Sequence, residues 1–116
     1  MKMDLSQLQE NAARASDLLR ALGNPNRLMI MCQLADGEKS VGELESVVGL
    51  SQSALSQHLA RLRRDELVTT RRQAQTIFYS LAGDEATSVI QVLYELYCGP
   101  GAAVTEPARV AQIGRS

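Results

Sequence analysis

Aromatic residues are scarce in this chain of 116 residues, with no Trp, one Phe and three Tyr. Large rings therefore do not fill its interior, and Leu, Val, Ile and Ala must do so. A core built this way in a chain of single-domain length is modest, and such chains gain apolar burial by pairing with a second copy. No apolar run approaches the roughly 18 residues of a membrane-crossing helix. The start, Met-Lys-Met-Asp-Leu-Ser-Gln, lacks an apolar signal core, so a cytoplasmic location is expected. Cysteine is limited to Cys32 and Cys98, and without secretion both are expected as thiols rather than as a structural disulfide. The sole histidine, His58, leaves no base-and-orienter pair for nucleophilic catalysis, and no Gly-rich phosphate loop is present. An enzyme is not expected.

An excess of positive charge is missing too, since the net charge is −1. The distribution is more informative than the total. Residues 51–73 hold Arg61, Arg63, Arg64, Arg71 and Arg72 against Asp65 and Glu66, a net of +3, which leaves −4 for the remainder. A local basic footprint on an acidic body is what phosphate attraction at one face requires.

What the chain does have is helical periodicity. Leu5, Leu8, Ala12, Ala15, Leu19 and Leu22 recur at steps of three and four, the seam of one helix suited to a partner helix. Asn24-Pro25 predicts an N-cap with Pro at the first helical position. The helix it opens, about 25–35, is expected to bury Leu28, Met31, Cys32 and Ala35 and to break at Asp36-Gly37. Ser40-Val-Gly-Glu43 matches a capping box and starts a third helix ending at Val48. Gly49-Leu50 turns the chain, and Ser51 caps a fourth helix, about 51–64, with Leu55, Leu59 and Leu62 inward. Residues 67–73 and the alternating Ile77, Tyr79 and Leu81 predict two strands around a tip at Gln73-Ala74-Gln75. A last helix opens at Gly83-Asp84-Glu85, with Asp84 as cap and acids in the positive first turn. Val89, Ile90, Val92, Leu93, Leu96 and Tyr97 make it apolar around much of its circumference, so it must bury a second side on something else, most simply another subunit. Residues 1–98 form a single domain in this reading, and 99–116, which have no firm pattern, are expected to be a disordered tail.

Two short helices joined through Gly49 and followed by a hairpin form a winged helix-turn-helix. The expected fold is mainly α with a small β-hairpin wing, in the order ααααββα, and dimeric. A helix of this kind fits the major groove of DNA, where amide and guanidinium side chains read base edges through paired hydrogen bonds. Gln52, Ser53, Ser56, Gln57, His58 and Arg61 are the candidate readers. Arg71, Arg72 and Gln73 of the wing are candidates for phosphate or minor-groove contact. The competing readings are a solvated face with no ligand and a winged helix that binds protein instead. Steep loss of affinity with salt singles out DNA.

The segments Asn24-Pro-Asn-Arg-Leu, Ser40-Val-Gly-Glu-Leu, Leu50-Ser-Gln-Ser-Ala-Leu-Ser-Gln-His-Leu and Leu62-Arg-Arg-Asp-Glu-Leu-Val resemble the arsenic-repressor (ArsR) family, over about residues 5–98. The resemblance implies a homodimeric repressor that occupies double-stranded operator DNA, expected as an inverted repeat, and leaves it when an inducer binds. Many members sense metals. Those sensors carry Cys-x-Cys on the third helix, where this chain has Ser40 and Gly42, or His and carboxylates on the last helix, where it has Asp84, Glu85 and Glu95 without His. Cys32 and Cys98 alone make a poor tetrahedral zinc site. No metal and no cofactor are expected, with a metal-responsive repressor as an alternative.

Within the family, the cysteine pair and the stretches 50–59 and 75–79 resemble the persulfide-sensing subgroup typified by BigR and SqrR, with HlyU a near relative. That resemblance implies that the helices carrying Cys32 and Cys98 pack together. It also implies that reactive sulfur species, as inducer, link the two thiols, either directly or through inserted sulfur. A thiolate attacks the electrophilic sulfur of a persulfide, and a second thiol resolves the product. A general oxidant sensor using the same thiols is the alternative. The plain reading is two small core residues, because free Cys is among the most buried types.

Overall fold

Four short polar side chains set where helices begin. The computed structural model describes residues 2–99. Asp4 accepts the amides of Ser6 and Gln7 and opens α1, Leu5–Glu10. Helix α2, Ala12–Leu22, follows without a side-chain cap. Asn24 accepts the amides of Asn26 and Arg27 and opens α3, Pro25–Ala35, with Pro at the first position as expected. Strand β1 is only Lys39–Ser40. The Ser40–Glu43 capping box, complete in both directions, opens α4, Val41–Val48. Ser51 accepts from Ala54 and opens α5, Gln52–Arg64. Strands β2, Val68–Gln73, and β3, Thr76–Leu81, precede α6, Glu85–Cys98.

The single N-terminal helix expected from the seam is two helices. Asn11 interrupts it, its side-chain amide donating to the Gln7 carbonyl at 3.0 Å beside its own backbone N–H at 3.2 Å. An Asn side chain competes in this way with the helical ladder. The seam divides accordingly: Leu22 is buried along with Leu18 and Ala21, whereas Leu5, Leu8 and Leu19 are all more than half exposed. Arg27 ties the next corner, donating from Nε to the Ala21 carbonyl and from Nη2 to that of Arg20. Both carbonyls belong to the last turn of α2, where that of Arg20 also takes the Gly23 N–H.

Helix α3 is the centre of the domain, packed against α2, α4, α5, α6 and β3. Its buried residues are Ile30, Met31 and Leu34. Of the face expected from sequence, Met31 is correct, Leu28 and Cys32 are half-buried and Ala35 is exposed. The difference follows from being enclosed on several sides, which buries Ile30 and Leu34 as well as one stripe. Leu44, Leu55, Leu59, Leu62, Val68, Ala86 and Ile90 complete the core.

The sheet is antiparallel in the order β1-β3-β2, with Ser40 and Arg71 both opposite Phe78. Strand β1 is an addition to the expected ααααββα order, since two residues are too short for a period-2 signal. The hairpin tip is Ala74-Gln75, with Ala74 at φ 56°. Helix α5 ends without a glycine. Glu66 takes φ 60°, its N–H bonds the Arg63 carbonyl, and Leu67 N–H bonds that of Leu62, the paired bonds of a Schellman motif.

Asp84 precedes α6 at φ −102° and ψ −15° and makes no side-chain capping bond, contrary to expectation. Its backbone is already near-helical, whereas a capping side chain works from an extended one. Gly99 is buried, and the rest of the expected 99–116 tail lies outside the described residues. Among the described residues, no helix is long and apolar enough to cross a membrane.

Candidate nucleic-acid interface and thiol pair

Gly49 sits at φ 71°, the left-handed region that a glycine enters without steric cost. That one residue turns the chain between α4 and α5. With Leu55, Leu59 and Leu62 buried, the roughly 100° step per residue directs Ser53, Gln57, Ala60 and Arg64 to the opposite side. Gln52, Ser53, Ser56 and Gln57 are exposed, as expected of readers. Arg64 and its neighbour Arg63, also exposed, belong to the basic footprint but are missing from the contacts expected from sequence. Arg64 lies seven residues after Gln57, so the same periodicity places it on the reading stripe.

His58 and Arg61 are on the flank and half-buried. Arg61 donates from Nε to Asp65 at 3.2 Å. Burial pulls the His58 pKa below its ordinary value, and the Arg27 cation adds to the effect. Because the folded value lies below the unfolded one, His58 contributes stability that is fully present above the unfolded pKa of about 6.5 and is lost as pH falls from there through the lower folded value. Urea unfolding at pH 7.5 and 5.5 should show wild type losing more stability than His58→Gln over this interval. Equal losses would remove His58 as the cause. Glu38 and Glu43, both shifted downward, lose their contributions only in more acid solution.

The two wing arginines differ. Strand alternation turns them to opposite faces. Arg71 donates from Nε and Nη2 to the Glu38 carboxylate at 2.7 and 2.8 Å, and from Nη1 to Gln73 at 2.9 Å. Its guanidinium also lies 4.6 Å from the Phe78 ring centroid. Arg71 and Gln73, both expected at the DNA, are thus each bonded within the protein as well as exposed. Arg72 is exposed, and no salt bridge among the described residues involves it, Arg63 or Arg64.

The thiols lie on two helices that pack together, Cys32 on α3 and Cys98 at the end of α6. Cys32 is half-buried and Cys98 exposed, and both are free. Burial pushes the Cys32 thiol above its ordinary value, and the negative charge of a Cys98 thiolate adds to the push. Cys32 is therefore protonated at neutral pH. Among the described residues, no three His, Cys, Asp or Glu side chains gather as a metal site.

Comparison with known proteins agrees with this geometry. Residues 24–70, from the cap of α3 into β2, match the family "Bacterial regulatory protein, arsR family". The transcriptional activator HlyU of Vibrio cholerae is 55% identical over 83% of this chain and 89% of its own length. The biofilm growth-associated repressor of Agrobacterium fabrum is 44% identical over 85% of each chain. The structure of reduced HlyU from Vibrio cholerae superposes with a TM-score of 0.75 at 55% identity, covering 79% of this chain and 97% of that one.

Proposed function

The chain belongs to the arsR family of bacterial regulatory proteins, winged helix-turn-helix regulators of transcription rather than enzymes, and on that premise we propose that reactive sulfur species control its hold on operator DNA through Cys32 and Cys98. The observation that carries this reading is the placement of the chain's two cysteines on packed helices, near enough that the charge of Cys98 is felt at Cys32. Gln52, Ser53, Ser56 and Gln57 read bases, and Arg63, Arg64 and Arg72 meet phosphates. A second copy covers the exposed Val92, Leu96 and Tyr97 of α6 together with the leucines of α1 and α2.

The exposed Cys98 is the thiol that a dissolved persulfide, R–S–SH, reaches first. Its thiolate attacks the sulfane sulfur, breaks the S–S bond and expels R–S⁻, leaving Cys98 as a persulfide. The Cys32 thiol then gives up its proton and attacks the sulfur bonded to Cys98 Cβ, and the expelled HS⁻ takes up a proton in turn. Two thiols are oxidised to one disulfide, and the sulfane sulfur is reduced to hydrogen sulfide. Further transfers before closure leave extra sulfur in the bridge, which spans a wider gap than the roughly 7 Å between Cα atoms that a disulfide tolerates.

The bridge ties α3, on which α4 and α5 rest, to the end of the dimer helix. A small shift there moves the two α5 helices off the spacing of about 34 Å between successive major grooves. A reduced dimer on DNA and a bridged dimer off it is the logic of a repressor. The relatives include an activator and a repressor by name, so the sign of control at a given gene depends on what else its operator overlaps.

Operator titration with intact-protein mass spectrometry, before and after an organic persulfide and separately peroxide, tests the reading. Bridging is expected to weaken binding by about 5- to 150-fold, the usual range of allosteric coupling. Cys32→Ser and Cys98→Ser should each abolish the response while binding DNA normally when reduced. A disulfide formed by peroxide with the same loss of binding would make the protein a general oxidant sensor. Unmodified thiols with unchanged binding would return both cysteines to a structural role.

A further inference from the structure

Glu38 lies one residue before β1, and Arg71 lies on β2, at opposite edges of the sheet. Between them runs β3, with Phe78 opposite both Ser40 and Arg71. The Arg71 side chain crosses the Phe78 ring to reach the Glu38 carboxylate, which takes the Nε and Nη2 fork in paired hydrogen bonds, while Gln73 takes Nη1. A paired fork of this kind fixes orientation as well as energy, and it is the same fork with which arginine grips a phosphate. Here Glu38 occupies it.

The mechanical consequence comes from the position of Glu38 in the chain. Two residues on, Ser40 is at once the end of β1 and the N-cap of α4, the first helix of the helix-turn-helix. A contact that spans all three strands therefore joins the wing to the start of that helix pair. Arg72, on the other face of β2 and free of salt bridges among the described residues, keeps its charge for DNA.

We propose that Glu38 and Arg71 are positioning residues: they latch the wing to the helix-turn-helix so that α5 and Arg72 dock as one body, and Arg71 itself makes no phosphate contact. This rests on the reading of α5 and the wing as the DNA-binding surface. An exposed pair contributes modestly, so its loss should weaken operator binding by about two- to fivefold.

The test uses Glu38→Gln, Arg71→Gln, the double variant and Arg72→Gln in the full chain. Operator affinity is measured across a salt series, and amide hydrogen exchange is followed through β1, β2 and β3 without DNA. Under the latch, each single variant loses a similar factor, the double variant loses no more, and exchange at Ser40 and residues 69–73 speeds up. The dependence of log affinity on log salt stays as in wild type for all three, whereas Arg72→Gln flattens it by about one ion. A flatter slope in Arg71→Gln, or tighter binding with a steeper slope in Glu38→Gln, would overturn the proposal by making Arg71 a DNA cation that Glu38 competes for. Unchanged affinity and exchange would overturn it as well. If wild type binds no operator, the DNA reading fails, while the exchange arm still decides whether the latch holds the wing.

Discussion

Gln57→Ala is expected to lower operator affinity by about 1–3 kcal/mol, roughly 5- to 150-fold, without altering the fold or the salt dependence of binding. The side chain is exposed on α5, opposite the buried Leu55, Leu59 and Leu62, so its removal opens no cavity. It is a neutral amide, able to give and accept a hydrogen bond at one base edge, and it displaces no counterions. Its contribution is therefore to discrimination rather than to general attraction. Arg64→Ala supplies the contrast from the same stripe. It should weaken operator and scrambled duplex alike and flatten the salt slope by about one ion. Titrating both variants against both duplexes at several salt concentrations separates the roles. If Gln57→Ala weakens the two duplexes equally, α5 does not read bases through this residue.

The exposed stripe of α5 was legible in the sequence because its determinants are local. A cap at Ser51, a glycine at the turn and leucines at steps of three and four define which side of α5 faces out. The difference between the wing arginines was not legible. Arg71 and Arg72 are adjacent and identical in the sequence, and what separates them is strand alternation together with Glu38, 33 residues earlier than Arg71. That contact depends on β1, which is two residues long and leaves no periodic trace. Asn11 gave no signal for a different reason: the apolar seam runs through it unbroken, while its side chain takes the Gln7 carbonyl where the backbone leaves the helix. Cys32 and Cys98 lie on helices that are far apart in the chain and pack together. Family resemblance supplied that pairing, since spacing alone is silent on contacts between elements 66 residues apart. Helix starts set by a cap and a turn glycine were legible, whereas a local bond masked by an unbroken seam and a contact across the sheet were not.

Leu55→Ala and Leu96→Ala should differ in how their cost depends on protein concentration. Leu55 is fully buried within the chain, and its truncation removes packing atoms and leaves a cavity, a loss of about 2–5 kcal/mol. In a domain whose total stability is on the order of 5–15 kcal/mol this is a large share. Because the hole lies inside each subunit, the loss persists at any concentration. Leu96 is 62% exposed, and a surface truncation in an isolated chain shifts stability by no more than about 0.5 kcal/mol. If a second copy covers α6, the same truncation removes apolar area from the interface, so the unfolding midpoint falls at low concentration and recovers as mass action restores the dimer. Urea unfolding of wild type and both variants over a hundredfold range of concentration, with sedimentation at each end, reads the difference. A Leu96→Ala midpoint equal to wild type throughout would leave the apolar face of α6 uncovered in solution. The two α5 helices would then have no common body through which a sulfur bridge at Cys32 and Cys98 shifts their spacing.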